Sequence, residues 1–191
     1  DGDSSYTKAG GDGYNNTLAF GGFDLNAIKW GDTICIGYPT ATNGAVKIFK
    51  WNGASWIQTA TIDGENSGDK FGFSVAMNKT ADHVVIGAPG HAGEGTDKGA
   101  TYVYNLQTTG WAKKPGTTNP VFGESNSSES GCSVDIDETG EFIISGAKLN
   151  AGGGTNRGSA RVYAYDAANG YEQRGSDIDG TANGDKSFAV S

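Results

Sequence analysis

A four-fold recurrence of short apolar triplets restricts what this chain can fold into. Phe23-Asp24-Leu25, Phe73-Ser74-Val75, Cys132-Ser133-Val134 and Phe188-Ala189-Val190 begin 50, 59 and 56 residues apart in chain order. Gly37, Gly87 and Gly146 each lie 14 residues after the first residue of their triplet, closing a second apolar run such as Val84-Val85-Ile86. A third run opens at Gly44-Ala45, Gly99-Ala100 and Gly158-Ser159, 7, 12 and 12 residues further on. A module repeated at roughly 50 residues cannot bury its own apolar face and must stack on its neighbours.

The modules read as strands. Phe71, Phe73, Val75 and Met77 alternate with Gly72, Ser74 and Ala76, the period of an extended chain. Val84-Val85-Ile86-Gly87 is continuously apolar and β-branched, as in a strand buried on both faces. After the third strand come Asn52-Gly53 before Trp56, Gly110 before Trp111, and Asn169-Gly170 before Tyr171. Asn-Gly suits two-residue hairpin turns, so strands three and four are expected to be antiparallel neighbours. Each unit is then a four-stranded meander. The middle unit is the expected exception, since Lys113 to Pro120 holds two prolines where its fourth strand should run. The chain divides into a polar segment 1–17, units at 18–66, 67–125 and 126–183, and the opening strand of a further unit at 184–191.

Composition excludes whole classes. At 191 residues the chain can bury roughly 70% of its unfolded surface and needs no cofactor to hold a core. Its 32 glycines fall at strand ends and turns, the punctuation of an all-β protein. No segment carries an amphipathic helical pattern even about 12 residues long, and no apolar run approaches the ~18 of a membrane span. A net charge of -8 with scattered basic residues offers no stripe for nucleic acid. Cys35 and Cys132 sit in apolar settings in different units, which leaves a disulfide or two buried thiols open. Of the two histidines, His83 and His91, neither has a spaced partner for metal or acid-base chemistry, and no nucleophile–base pair stands out. The chain is expected not to be an enzyme.

Phe71-Gly72 and Gly87-Ala88-Pro89 carry a resemblance to the FG-GAP repeat proteins, the β-propeller family that includes the integrin α-subunit head. Ile62, Gly64, Glu65, Gly68, Asp69, Phe71, Gly72, Ser74 and Val75 match the pattern of a subgroup common in secreted microbial proteins. The likeness extends from about residue 12 onward and implies propeller blades in an extracellular setting. It departs at Gly37-Tyr38-Pro39, at Gly146-Ala147-Lys148, and at Lys186-Ser187-Phe188, which lacks the glycine. The calcium-binding members resemble D-x-D-x-D-G-x-x-D between their first two strands. Here only Asp135-Ile136-Asp137-Glu138-Thr139-Gly140 offers two spaced acids, so Asp135 and Asp137 are the candidate calcium ligands, against an ordinary polar turn.

Further candidates follow from position. Acids recur before each first strand: Asp63 and Glu65 with Asp69, Glu124 with Glu129, and Asp179 with Asp185. They read either as a ring of cation or glycan contacts or as solvated turns capping backbone groups. Asn15, Asn78 and Asn126 begin glycosylation sequons in polar stretches or turns and are expected to be accessible. The unfinished unit leaves Lys186, Phe188 and Val190 as an assembly strand, free to complete a blade of the same chain or of another copy. The leading expectation is a non-catalytic extracellular repeat protein acting in adhesion or as a subunit of a surface structure or fibre. Its partners would be proteins, including copies of itself. The alternatives are a glycan- or protein-binding module, with Trp30, Trp51, Trp56 and Trp111 around one pocket, and an accessory domain of a larger secreted enzyme.

Overall fold

The structure, a computed structural model, describes residues 18–21, 32–93, 95–116, 119–151 and 154–185. Among them every regular element is a strand, and the strands form three antiparallel sheets in chain order. The first sheet runs β1 (Leu18–Gly21), β2 (Thr33–Tyr38), β3 (Ala45–Trp51), β4 (Trp56–Asp63). The second runs β5 (Ser74–Met77), β6 (His83–Ala88), β7 (Ala100–Gln107), β8 (Gly110–Lys113), with β9 (Val121–Phe122) also paired to β7. The third runs β10 (Ser130–Ile136), β11 (Phe142–Ala147), β12 (Ser159–Asp166), β13 (Gly170–Gln173), with β14 (Ile178–Asp179) on β12.

The middle sheet is buried on both faces, which is why β6 is apolar without a break. Val84, Ile86 and Tyr102 pack with Phe71 and Val75 against Cys35, Val46 and Ile48 of the first sheet. Val85 and Val103 pack against Val134, Ile143 and Tyr171 of the third. Two cores therefore lie in the seams between consecutive sheets, and each fully buried aliphatic side chain contributes about 2 kcal/mol to holding them.

The constant glycine spacing is a contact between sheets. A Cβ on Gly37 would lie 1.9 Å from the carbonyl oxygen of Gly72, and one on Gly87 would lie 1.9 Å from that of Gly131. Backbone presses on backbone at both seams, leaving no room for a side chain. One turn later Gly44 and Gly99 bridge Phe71 and Ser130 in parallel fashion, again across the seam.

Four expectations are corrected. In the first sheet the strand paired with β2 is Leu18–Gly21, with Leu18 opposite Ile36, upstream of Phe23-Asp24-Leu25, which lies outside the described residues. A ladder is a backbone device, so side-chain spacing shows which stretches can pair and does not decide which one does. The fourth strand is broken in the third sheet as well as in the second. It pairs with β12 through Tyr171 and Gln173, lapses, and returns at Ile178–Asp179. In the second sheet the Asn119 side chain takes the missing strand's place, its Nδ2 donating to Val103 O at 2.8 Å and its Oδ1 accepting from Val103 N at 3.1 Å. The Asn-Gly pairs do not make two-residue turns. Trp51 pairs with Trp56 and Asp166 with Gly170, leaving loops of four and three residues. Asn52 Oδ1 accepts from the amides of Ala54 and Ser55 and so widens its turn. The two-residue loop is instead Thr108-Thr109. Asn78, in the turn after β5, is buried and not accessible.

Candidate functional site

One position at the rim of each sheet recurs with its surroundings. Gly37, Gly87 and Gly146 pair across the ladder with Val46, Thr101 and Ala160, and five residues beyond these stand Trp51, Leu106 and Tyr165. Their partners on the fourth strand are Trp56, Trp111 and Tyr171. Their amides donate to the carbonyls of Asp32, Asp82 and Glu141 at 2.7, 2.8 and 2.8 Å. Each unit thus brings two large side chains and an acid to one place, and in the third unit they face Lys114 of the second.

Between the second and third sheets this place is filled. Lys114 follows β8, its side chain almost wholly buried, and its Nζ donates to Gly140 O at 2.7 Å and Glu141 Oε1 at 3.2 Å. The ammonium lies 3.9 Å from the Tyr165 ring centroid and 5.5 Å from that of Tyr171. The two rings are 5.3 Å apart. Carbonyl, carboxylate and ring faces together replace the water a buried ammonium loses. Tyr171 Oη also donates to Gly140 O, at 2.7 Å. Burial, with Glu141 adding, pushes its hydroxyl above its ordinary range, so it stays a neutral donor. Gly116 lies against the hairpin of the third sheet, where a Cβ would be 2.2 Å from Gly170 Cα.

A second cation crosses the same seam. Arg161 on β12 is buried and donates through Nε and Nη2 to Asp177 at 2.9 and 2.7 Å, and its Nη2 also reaches Glu124 of the preceding loop. The Arg161 hydrogen bond is the main reason the Asp177 carboxyl is held below the usual range. Beside this pair an open groove of about 320 Å³ runs between Pro120 and Phe122 on one side and Tyr163, Tyr171 and Gln173 on the other.

Five of the acids expected as a ring are engaged in ion pairs and turns. Glu65 meets Lys113 at 2.5 Å, Glu129 meets Lys148 at 2.5 Å, and Glu124 meets Arg161. Asp69 is buried, accepts from Asn66 Nδ2 at 3.1 Å, and lies 3.7 Å from His91 Nε2. Asp185 accepts from the Ala182 amide at 2.8 Å. Asp135 and Asp137 do not converge. Asp135 Oδ1 accepts from the Ile136 amide at 2.9 Å, while Asp137 accepts from the amides of Thr139, Glu141 and Phe142 and from the Thr139 hydroxyl. Partial burial opposes ionisation of Asp137, and these donors outweigh it, holding the carboxyl below its usual range. Among the described residues no three His, Cys, Asp or Glu side chains come together around a point.

Asn78 is the matching turn residue of the second sheet, and its expected accessibility is wrong. Its side chain is buried and its Nδ2 donates to Thr80, Asp82 and Glu138 at 2.9, 2.7 and 3.0 Å, because the third sheet covers this turn. Asn126 is exposed, with its Oδ1 accepting from the Thr96 amide at 3.2 Å. Asn15, Trp30, Lys186, Phe188 and Val190 lie outside the described residues. The tryptophans do not gather around one pocket: Trp51 and Trp56 are on the first sheet, Trp111 is partly buried in the seam beside it, and the groove is lined by other rings. Cys35 and Cys132 are not joined in a disulfide; Cys35 is buried, and Cys132 Sγ donates to Gly146 O at 3.3 Å.

Sequence reading missed Lys114, Arg161 and Asn119. One signal was available for the first: a basic residue stands four positions after the hairpin glycine in two units, Lys114 after Gly110 and Arg174 after Gly170.

Antiparallel meanders stacked face to face through glycine contacts define a propeller-type repeat protein. Residues 56–104 match the family model of the FG-GAP repeat, a span from β4 through most of β7. Residues 56–104 therefore carry an FG-GAP repeat. FG-GAP repeats occur in extracellular and surface proteins. No curated protein matches the chain.

Proposed function

We propose that this is a non-catalytic extracellular protein whose stacked sheets serve adhesion or build a surface structure or fibre. The observation that carries the reading is the middle sheet, whose two faces are both consumed by stacking. The first and third sheets repeat its pattern and keep partly exposed faces, including Ile36 and Phe49 on one and Ile144 and Val162 on the other. Such faces call for a protein partner. The mass and shape of the native particle, by sedimentation and electron microscopy, test it. A long polymer or a stable complex is the expected result, and a compact particle of single-chain mass overturns it.

A second reading, a glycan-binding module, is favoured by the groove beside Arg161. Its aromatic wall and its Gln173 and Glu124 side chains suit a polyhydroxylated ligand. Titration with a panel of oligosaccharides, read by the intrinsic fluorescence of the neighbouring tyrosines, distinguishes it from the first.

A further inference from the structure

The filled seam between the second and third sheets has two unfilled halves elsewhere in the molecule. Lys114 and Arg174 hold the same place, since the Lys114 amide donates to Val103 O at 2.9 Å and the Arg174 amide to Val162 O at 2.8 Å. Lys114 is buried in the next sheet, whereas Arg174 is exposed. Gly116, near Lys114, abuts Gly170, whereas a Cβ on Gly175, beside Arg174, would meet nothing within 4 Å. The third sheet therefore offers the cation of the clamp with nothing to receive it among the described residues.

The first sheet offers the receiver. Trp51 and Trp56 stand where Tyr165 and Tyr171 stand, with ring centroids 5.5 Å apart and planes at 56°, against 5.3 Å and 56° for the tyrosines. The tyrosine pair is covered by Lys114, with Tyr171 only 2% exposed, while Trp51 and Trp56 are 41% and 39% exposed. Asp32 takes the part of Glu141, its carbonyl accepting from the Trp51 amide as that of Glu141 does from Tyr165. Its carboxylate is occupied by the Thr33 hydroxyl at 2.9 Å and by an exposed, solvent-weakened pair with Lys50 at 3.7 Å. Both halves lie on the faces that would meet if a third sheet stacked on a first.

We propose that Arg174 of one copy of this chain inserts over Trp51 and Trp56 of a second copy and pairs with its Asp32, joining third sheet to first sheet head to tail. The contact is heterologous, so it propagates or closes a ring according to the rotation it imposes. A guanidinium suits the tryptophan cage better than an ammonium would, because it is planar, weakly hydrated and stacks on indole while bonding a carboxylate. The proposal rests on the assembly reading above and names the residues that make the joint.

The test is sedimentation velocity over a concentration series on the intact protein, with far-ultraviolet circular dichroism to confirm folding. Arg174→Glu and Asp32→Arg, both at exposed sites, are each expected to raise the concentration needed for assembly by about tenfold or more. The double exchange Arg174→Glu with Asp32→Arg is expected to recover most of that loss, and Arg174→Lys to retain most of the assembly. If polymers form unchanged in Arg174→Glu, or the double exchange fails to recover them, the clamp is wrong while assembly stands. If the unaltered chain remains a single compact particle at every concentration, the clamp and the assembly reading fall together.

Discussion

Gly87 shows at the scale of one residue how a spacing becomes a fold. The atom that Gly87→Ala adds would sit 1.9 Å from Gly131 O, which is backbone and cannot swing away. The substitution is expected to lower the unfolding free energy by ~3 kcal/mol, read as a lower urea midpoint. Gly53→Ala is the control, because its Cβ meets nothing and only the positive φ of 98° is strained, costing about 1 kcal/mol. Asp177 carries the acid sensitivity of the second seam. Its folded-state carboxyl is lowered from 3.8, chiefly by Arg161, so its stabilisation is complete above the unfolded value and is lost as the pH falls through the lower folded one. Asp177→Asn is expected to flatten the fall of stability below about pH 4, measured by urea unfolding across a pH series.

At the scale of elements, the fourth strand governs how sheets join. Where it runs unbroken, as β4 does from Trp56 to Asp63, no long cation follows into the next seam. Where it breaks after β8, the chain is free to send Lys114 across into the third sheet and to let Asn119 fill the gap in the ladder. Lys114→Ala removes the cation and leaves Gly140 O and Glu141 facing a void, an expected loss of ~3 kcal/mol. Lys114→Met restores the volume without the charge and is expected to cost about 1 kcal/mol or less. Thermal unfolding of the pair separates the charge from its packing. The two prolines between β8 and β9 announced a defect in the strand, yet the break is also the device that couples the sheets. Nothing in the third unit's sequence between Gln173 and Ile178 announces the same break as loudly, because it holds no proline.

For the whole molecule, two cores in two seams predict a graded resistance to opening. Amides of β6 and β7 are expected to exchange slowest and those of β4, which lies exposed along most of its length, fastest, as read by hydrogen exchange with mass spectrometry. Uniform protection across the three sheets would contradict seam-by-seam stacking. The all-β class, the strands around Val84-Val85-Ile86 and the glycines at the seams were legible because they are local patterns repeated at a fixed distance, and the repeat itself implies the contact. The burial of Asn78 under Glu138, the reach of Lys114 to Gly140 and the spending of Glu124 on Arg161 were not, since each joins residues 26 to 60 positions apart through the tips of flexible side chains. A period determines that one unit must lie on the next, because backbone and strand geometry leave no other way to cover an apolar face. Which side chains then meet across the seam is decided by rotation and offset between the sheets, and only the assembled tertiary structure sets those.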